Sequence, residues 1–288
     1  MHFKTVKGIL SPKNSMNIYR GCLHGCIYCD SRSKCYQMNH DFEDIEVKEN
    51  AIDLLEQKLK TKRKKVMIAT GSMSDPYMQI ESKLNLTKEA LEIINKYGFG
   101  VTVLTKSALV LRDLDLFKQI NQKAKVIIQM TLTTYDENLC KILEPNVSTT
   151  FERFQALKVF QDNSIETVVW LDPFLPFIND NYENIKGLMD YCVEAGVKGI
   201  ICFGIGLTLR EGNREYFYKN LDRYFPSLKE KYIKTYGLSY EITSPNNDYL
   251  MAYIEKVCKE NNILFKPQEV FSYLASFPEK EQQLKLFD

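Results

Sequence analysis

The stretch Tyr19-Arg20-Gly21-Cys22-Leu23-His24-Gly25-Cys26-Ile27-Tyr28-Cys29 places three cysteines in a C-x3-C-x2-C spacing. Thiolates are soft ligands that select zinc, copper(I) or iron-sulfur clusters over hard cations. A closed cluster or structural zinc site takes four such ligands, whereas this loop supplies three and leaves one metal position open. Gly21 and Gly25 let the backbone turn closely around a bulky inorganic group, and Tyr28 sets an aromatic ring beside the last ligand. Two readings stand at this point: an open cluster on Cys22, Cys26 and Cys29, or a four-cysteine site completed by Cys35.

The remainder of the composition is that of an ordinary globular chain. Its 288 residues, 44% of them hydrophobic, suit one large domain or a barrel with an appended segment. A formal net charge of +1 argues against a global affinity for nucleic acid or a membrane surface, so such a partner needs a local patch. The N-terminal residues lack an apolar signal core, and no run approaches the roughly 18 apolar residues of a spanning helix. A cytoplasmic protein without a membrane association is expected. Eight cysteines in such a compartment read as reduced thiols and metal ligands, with Cys140, Cys192, Cys202 and Cys258 as small core fillers.

After the cysteine loop, apolar strands alternate with amphipathic helices, the pattern of parallel βα units. Strands are expected at 16–20, 65–69, 100–105, 125–131, 166–171 and 199–203, with helices at 50–59, 87–97, 109–121, 150–160 and 182–195. Six repeats fall short of the eight of a closed barrel. The expected fold is therefore α/β, a partial (β/α)6 TIM-type barrel over 1–220, a C-terminal α+β extension over 221–277, and a tail at 278–288.

Cys22, Cys26, Tyr28 and Cys29 match position by position the C-x3-C-x-aromatic-C signature, and on these residues the chain resembles the radical S-adenosylmethionine (SAM) superfamily. The resemblance implies a 4Fe-4S cluster held by the three cysteines, with SAM on the fourth iron. It also implies reductive cleavage of SAM to a 5'-deoxyadenosyl radical that abstracts hydrogen, and a reductant such as flavodoxin or ferredoxin. Active-site residues of βα barrels gather at the C-terminal strand ends. There Ser74 and Asp75 are candidates for the methionine ammonium, and Lys106 and Thr131 for its carboxylate, with Tyr28 beside the cluster.

The Thr105-Lys106 pair, Thr131, Leu143-Glu144-Pro145, Arg153 and the string Pro173 to Asp180 resemble more closely the spore photoproduct lyase-like branch. Authentic lyases of that branch carry a hydrogen-donating Cys after the second strand, but this loop reads Gly71-Ser72-Met73-Ser74-Asp75. The fold and cofactors carry over, the donor route does not, and no catalytic residue is assigned. Tyr77 reads as a packed aromatic.

Two further strings bear on partners. Lys60-Thr61-Lys62-Arg63-Lys64-Lys65 is the one dense basic run and reads as a solvated helix end. The tail string Gln283-Leu284-Lys285-Leu286-Phe287 resembles the peptide by which bacterial repair and replication proteins bind the DNA sliding clamp; packing back onto the domain is the alternative. Three functions follow: a radical SAM enzyme acting on DNA or a nucleotide lesion, a radical SAM enzyme acting on protein, RNA or a small molecule, and a non-catalytic metal-stabilised module associated with the clamp.

Overall fold

The computed structural model describes residues 1–278, so the Gln283 to Phe287 string lies outside the described residues. The chain opens with β1 (His2–Lys4), β2 (Ser15–Met16), β3 (Tyr19–Arg20) and β4 (Glu46–Lys48). Repeating units follow: α1 (Ala51–Thr61), β5 (Met67–Thr70), α2 (Glu81–Leu84), α3 (Leu86–Tyr97), β6 (Gly100–Thr105), α4 (Leu114–Lys123) and β7 (Val126–Thr131). They continue through α5 (Glu137–Leu143), α6 (Thr150–Asp162), β8 (Glu166–Trp170), α7 (Tyr182–Glu194) and β9 (Gly199–Ile201). The remainder comprises β10 (Gly206–Thr208), α8 (Asn213–Tyr224), α9 (Leu228–Tyr236), β11 (Glu241–Thr243), α10 (Asn247–Glu260) and α11 (Pro267–Ala275).

Six strands make one sheet in the order β2-β5-β6-β7-β8-β9, every neighbouring pair parallel. The two edges do not pair with each other, which leaves the barrel open as its repeat count requires. All six residues of β7 are buried, as a parallel strand covered on both faces must be. On the outer face Val103, Ile128, Met130 and Val169 pack in one core with Leu91, Phe117, Phe160 and Leu188 of the helices. On the inner face α11 plugs the barrel, with Val270 and Leu274 against Met67, Ile127, Val168 and Ile201.

Local chemistry sets the element ends. Asp136 caps α5 by accepting from Leu139 N–H at 2.7 Å, and Thr149 with Glu152 forms a reciprocal capping box on α6.

Two expectations need correction. The strand expected at 16–20 is divided: β2 joins the large sheet and ends at Met16, while β3 pairs antiparallel with β4 in a three-stranded side sheet with β1. The side sheet turns the chain away from the barrel just before the cysteine loop. The helix expected at 109–121 begins as a 3-10 turn over Ala108–Asp113, with α4 starting only at Leu114.

The C-terminal segment is woven into the barrel. Leu264 accepts from Ile200 N–H at 2.8 Å and extends the β9 edge, and β10 pairs antiparallel with β11. Most of the basic run 60–65 is exposed at the end of α1, in agreement with a solvated helix end. No helix among the described residues is long and apolar enough to cross a membrane.

Candidate active site

The cysteine loop is fastened at several points by its own backbone. Gly21 has φ +89°, and a Cβ there would collide with the Phe42 carbonyl oxygen, which also accepts from Cys22 N–H at 3.1 Å. On the other side, Ile27 N–H donates to Leu143 O at 3.0 Å, while Asn146 N–H donates to His24 O at 3.1 Å. The loop is thereby hung between the segment before β4 and the end of α5.

Cys22, Cys26 and Cys29 are free thiols, and burial pushes all three up, Cys22 to about 12. The backbone N–H groups of His24 and Asp75 pull Cys22 the other way. Thiolates in this loop therefore need a cation, which an iron-sulfur cluster supplies. Cys35 does not join them: it is exposed, lies 3.6 Å from Arg210 Nη1 and lines a different depression. A four-cysteine site built on Cys35 is accordingly excluded in this arrangement.

A cavity of about 510 Å³ opens beside the loop. It is lined by Cys26, Tyr28 and Cys29 of the loop, by Lys106 and Asp172 at strand ends, and by Phe203 to Thr208 with Glu241 to Thr243. The β10 and β11 pair thus lines the same cavity as cysteines that lie near the N-terminus. Inside the barrel mouth, Trp170, Phe203 and Phe271 form an aromatic cluster, with ring centroids 6.0 to 6.3 Å apart. Phe203 is 59% exposed although it faces a concave site.

Of the five cofactor candidates, Tyr28 and Lys106 line this cavity, whereas Ser74, Asp75 and Thr131 do not. Ser74 spends its hydroxyl on Gly21 O at 2.6 Å. Asp75 accepts from Tyr77 N–H at 2.8 Å, Thr105 hydroxyl at 2.7 Å and Lys106 N–H at 2.7 Å, with His24 Nδ1 at 3.4 Å. A carboxylate has about four acceptor positions, so Asp75 is committed to joining the β5 end, the β6 end and the cysteine loop. Thr131 offers its carbonyl to Arg153 Nη1 at 2.6 Å. Tyr77 is buried and donates to Asp113 at 2.9 Å, as a packed aromatic does.

Sequence reading gave no role to a buried network behind Lys106. Glu144, fully buried, accepts from Arg153 Nη2 at 2.5 Å and from the Tyr28 hydroxyl, and lies 3.4 Å from Lys106 Nζ. Burial pushes Glu144 up, but Arg153, then Lys106 and the hydrogen bonds outweigh it and hold the carboxyl at about 2. Cys140 is more than the core filler expected, since its sulfur lies 3.2 Å from Arg153 Nη2. Asp172 was also missed; burial raises its carboxyl to about 7, against the lowering effect of Lys106. The signals were present as a buried-type Glu-Pro after a helix and an Asp-Pro after a strand, but neither spacing reports burial.

The sequence profile of the radical SAM superfamily matches residues 16–191. The chain belongs to the radical SAM superfamily. Enzymes of this superfamily use a 4Fe-4S cluster and SAM, and the donor set and cavity described above fit that pair. An uncharacterized protein of Methanocaldococcus jannaschii is 35% identical over 174 residues, covering 60% of this chain and 64% of its own length. An uncharacterized Mycobacterium bovis protein is 28% identical over 228 residues, covering 77% and 66%. The chain therefore spans just under two thirds of the length of these relatives. Among solved structures, a spore photoproduct lyase complexed with dinucleoside spore photoproduct superposes with TM-score 0.65 at 15% identity, covering 91% of this chain and 79% of that one. The fold is therefore similar to that of spore photoproduct lyase, and the loop after β5 reads Gly71-Ser72-Met73-Ser74-Asp75, without a cysteine.

Proposed function

We propose that Cys22, Cys26 and Cys29 hold the cluster of a radical SAM enzyme that abstracts hydrogen from a base of damaged DNA or a related nucleotide. Held by these cysteines together with SAM, and reduced by one electron from a flavodoxin or ferredoxin, the cluster would supply the 5'-deoxyadenosyl radical that takes the hydrogen. The protein's residues bind and orient. Lys106, directed by Glu144 and standing 5.5 Å from the Tyr28 ring centroid, presents an ammonium to the methionine carboxylate. Asp75 and Ser74 keep the loop and the strand ends in register rather than touching the cofactor.

The observation that carries the substrate reading is the exposed Phe203 ring, which lines the same cavity as Cys26 and Cys29 and offers a platform for stacking a planar base. The string Gln283-Leu284-Lys285-Leu286-Phe287, read as a clamp peptide, supports the same substrate. The test is anaerobic turnover with irradiated and intact oligonucleotides. Damaged DNA is expected to raise 5'-deoxyadenosine formation and to pass deuterium into it; equal, uncoupled cleavage with both would remove DNA as substrate.

A second reading has its own observation. The cavity sets Glu241 and Asp30, the latter paired with Arg210 at 3.1 Å, beside its one lysine, Lys106, and so lacks the excess of cations that dense phosphate needs, which favours a protein segment or a small molecule. The same turnover assay with phosphate-free candidates separates the two.

A further inference from the structure

Two of the three histidines come together outside the cavity. His2 opens β1, and His40 and Asp44 lie on the segment that leads into β4. The His2 and His40 rings meet edge to face with centroids 4.9 Å apart, and His2 Nδ1 lies 2.9 Å from Asp44 Oδ2. One ligand atom from each of His2, His40 and Asp44 lies within 4.8 Å of the other two.

The tautomer of His40 is fixed by its neighbour. His40 Nδ1 is 3.0 Å from the Asp41 carbonyl, which only accepts, so Nδ1 carries the proton and Nε2 holds a lone pair in the neutral ring. That Nε2 atom is buried and has no hydrogen-bond partner. A ring N–H anchored on a carbonyl, with the opposite nitrogen free, is the arrangement by which metal-ligating histidines are oriented.

We propose that His2, His40 and Asp44 bind a divalent zinc ion, distinct from the cluster. Two imidazole nitrogens and a carboxylate are too nitrogen-rich for magnesium or calcium and lack the thiolates that softer ions require. Coordination at about 2.0–2.1 Å brings tetrahedral donors to about 3.3 Å, a contraction open to half-exposed side chains on a connecting segment. Water fills the fourth position. Competing partners are at hand: Asp44 Oδ1 faces the Met1 ammonium at 2.5 Å, and Glu46, 3.9 Å from His2 Nε2, is held by Lys4 at 2.8 Å. The ion takes Asp44 Oδ2 and replaces the proton that His2 Nδ1 shares with it at 2.9 Å. Its place gives it a purpose: it clips β1 to the segment whose Phe42 carbonyl holds Cys22 N–H and fixes the turn at Gly21.

The test uses full-length protein with its cluster installed, so that Cys22, Cys26 and Cys29 are filled, equilibrated with Zn²⁺ and desalted. One retained zinc per chain beyond the iron is expected, with X-ray absorption showing nitrogen and oxygen but no sulfur around it. His40→Ala and Asp44→Asn should each weaken zinc binding by at least the roughly 10- to 100-fold that loss of a mere supporting partner costs, while Cys35→Ser leaves it unchanged. Iron and sulfide content equal to that of the parent protein certifies that each variant folds. The proposal is overturned if no zinc is retained, if sulfur appears in its shell, or if folded His40→Ala and Asp44→Asn bind zinc as the parent does.

Discussion

Glu144 and Arg153 form an ion pair with Oε2 and Nη2 2.5 Å apart and neither side chain exposed, directly behind the one lysine that lines the cavity. A pair so buried is a positioning device, because removing one partner strands the other's charge. Arg153→Met should lower stability by about 3–5 kcal/mol, measured by denaturant unfolding of the cluster-free protein, and should shift Lys106 by releasing Glu144. A change below about 1 kcal/mol would mean that the pair is not buried as described.

Acid sensitivity follows from the same pair with a definite sign. Glu144 has a folded value of about 2, below its ordinary 4.5, so the stability it contributes is present above pH 4.5 and is lost as pH falls towards 2. Glu144→Gln should flatten the stability profile in that window, read by circular dichroism at fixed denaturant. A profile with the parent's slope would contradict the assignment.

Asp172 predicts the opposite slope. Burial raises its carboxyl to about 7 from 3.8, so the folded state retains a proton that the unfolded chain releases. Its contribution is complete below pH 3.8 and is lost as pH rises through 7, at up to about 1.4 kcal/mol per pH unit. Asp172→Asn should remove that fall, and a variant whose stability still declines as steeply between pH 4 and 7 would refute the shift.

Lys106 and Asp75 separate binding from positioning. Lys106→Met should weaken SAM binding by about 10- to 100-fold while leaving iron content unchanged, since one charge-assisted contact is worth about 1.5–3 kcal/mol. Asp75→Ala leaves three donors from Tyr77, Thr105 and Lys106 unmet and should instead reduce cluster retention and thermal stability. If Asp75→Ala kept a full cluster and lost only SAM affinity, Asp75 would be a cofactor ligand after all.

Sequence made the local features legible and left the convergent ones hidden. The spacing of Cys22, Cys26 and Cys29 and the βα periodicity are short-range patterns, so the superfamily and the six-stranded parallel sheet were both readable. The break between Met16 and Tyr19 was not, because a change of sheet leaves no mark on hydropathy. Asp75 was correctly placed at a strand end, but its spent oxygens depend on Thr105 and Lys106, residues 30 and 31 positions away. Glu144, Arg153 and Asp172 matter through burial, which emerges only once α5, α6 and the strand ends pack.

The most direct test of the central claim is anaerobic reconstitution with iron and sulfide, followed by reduction with SAM present. The account predicts about four iron and four sulfide per chain and formation of 5'-deoxyadenosine with methionine, both lost when Cys22, Cys26 and Cys29 are replaced by Ala. A protein that takes up only zinc at these cysteines, or that carries a full cluster and never cleaves SAM, would contradict it.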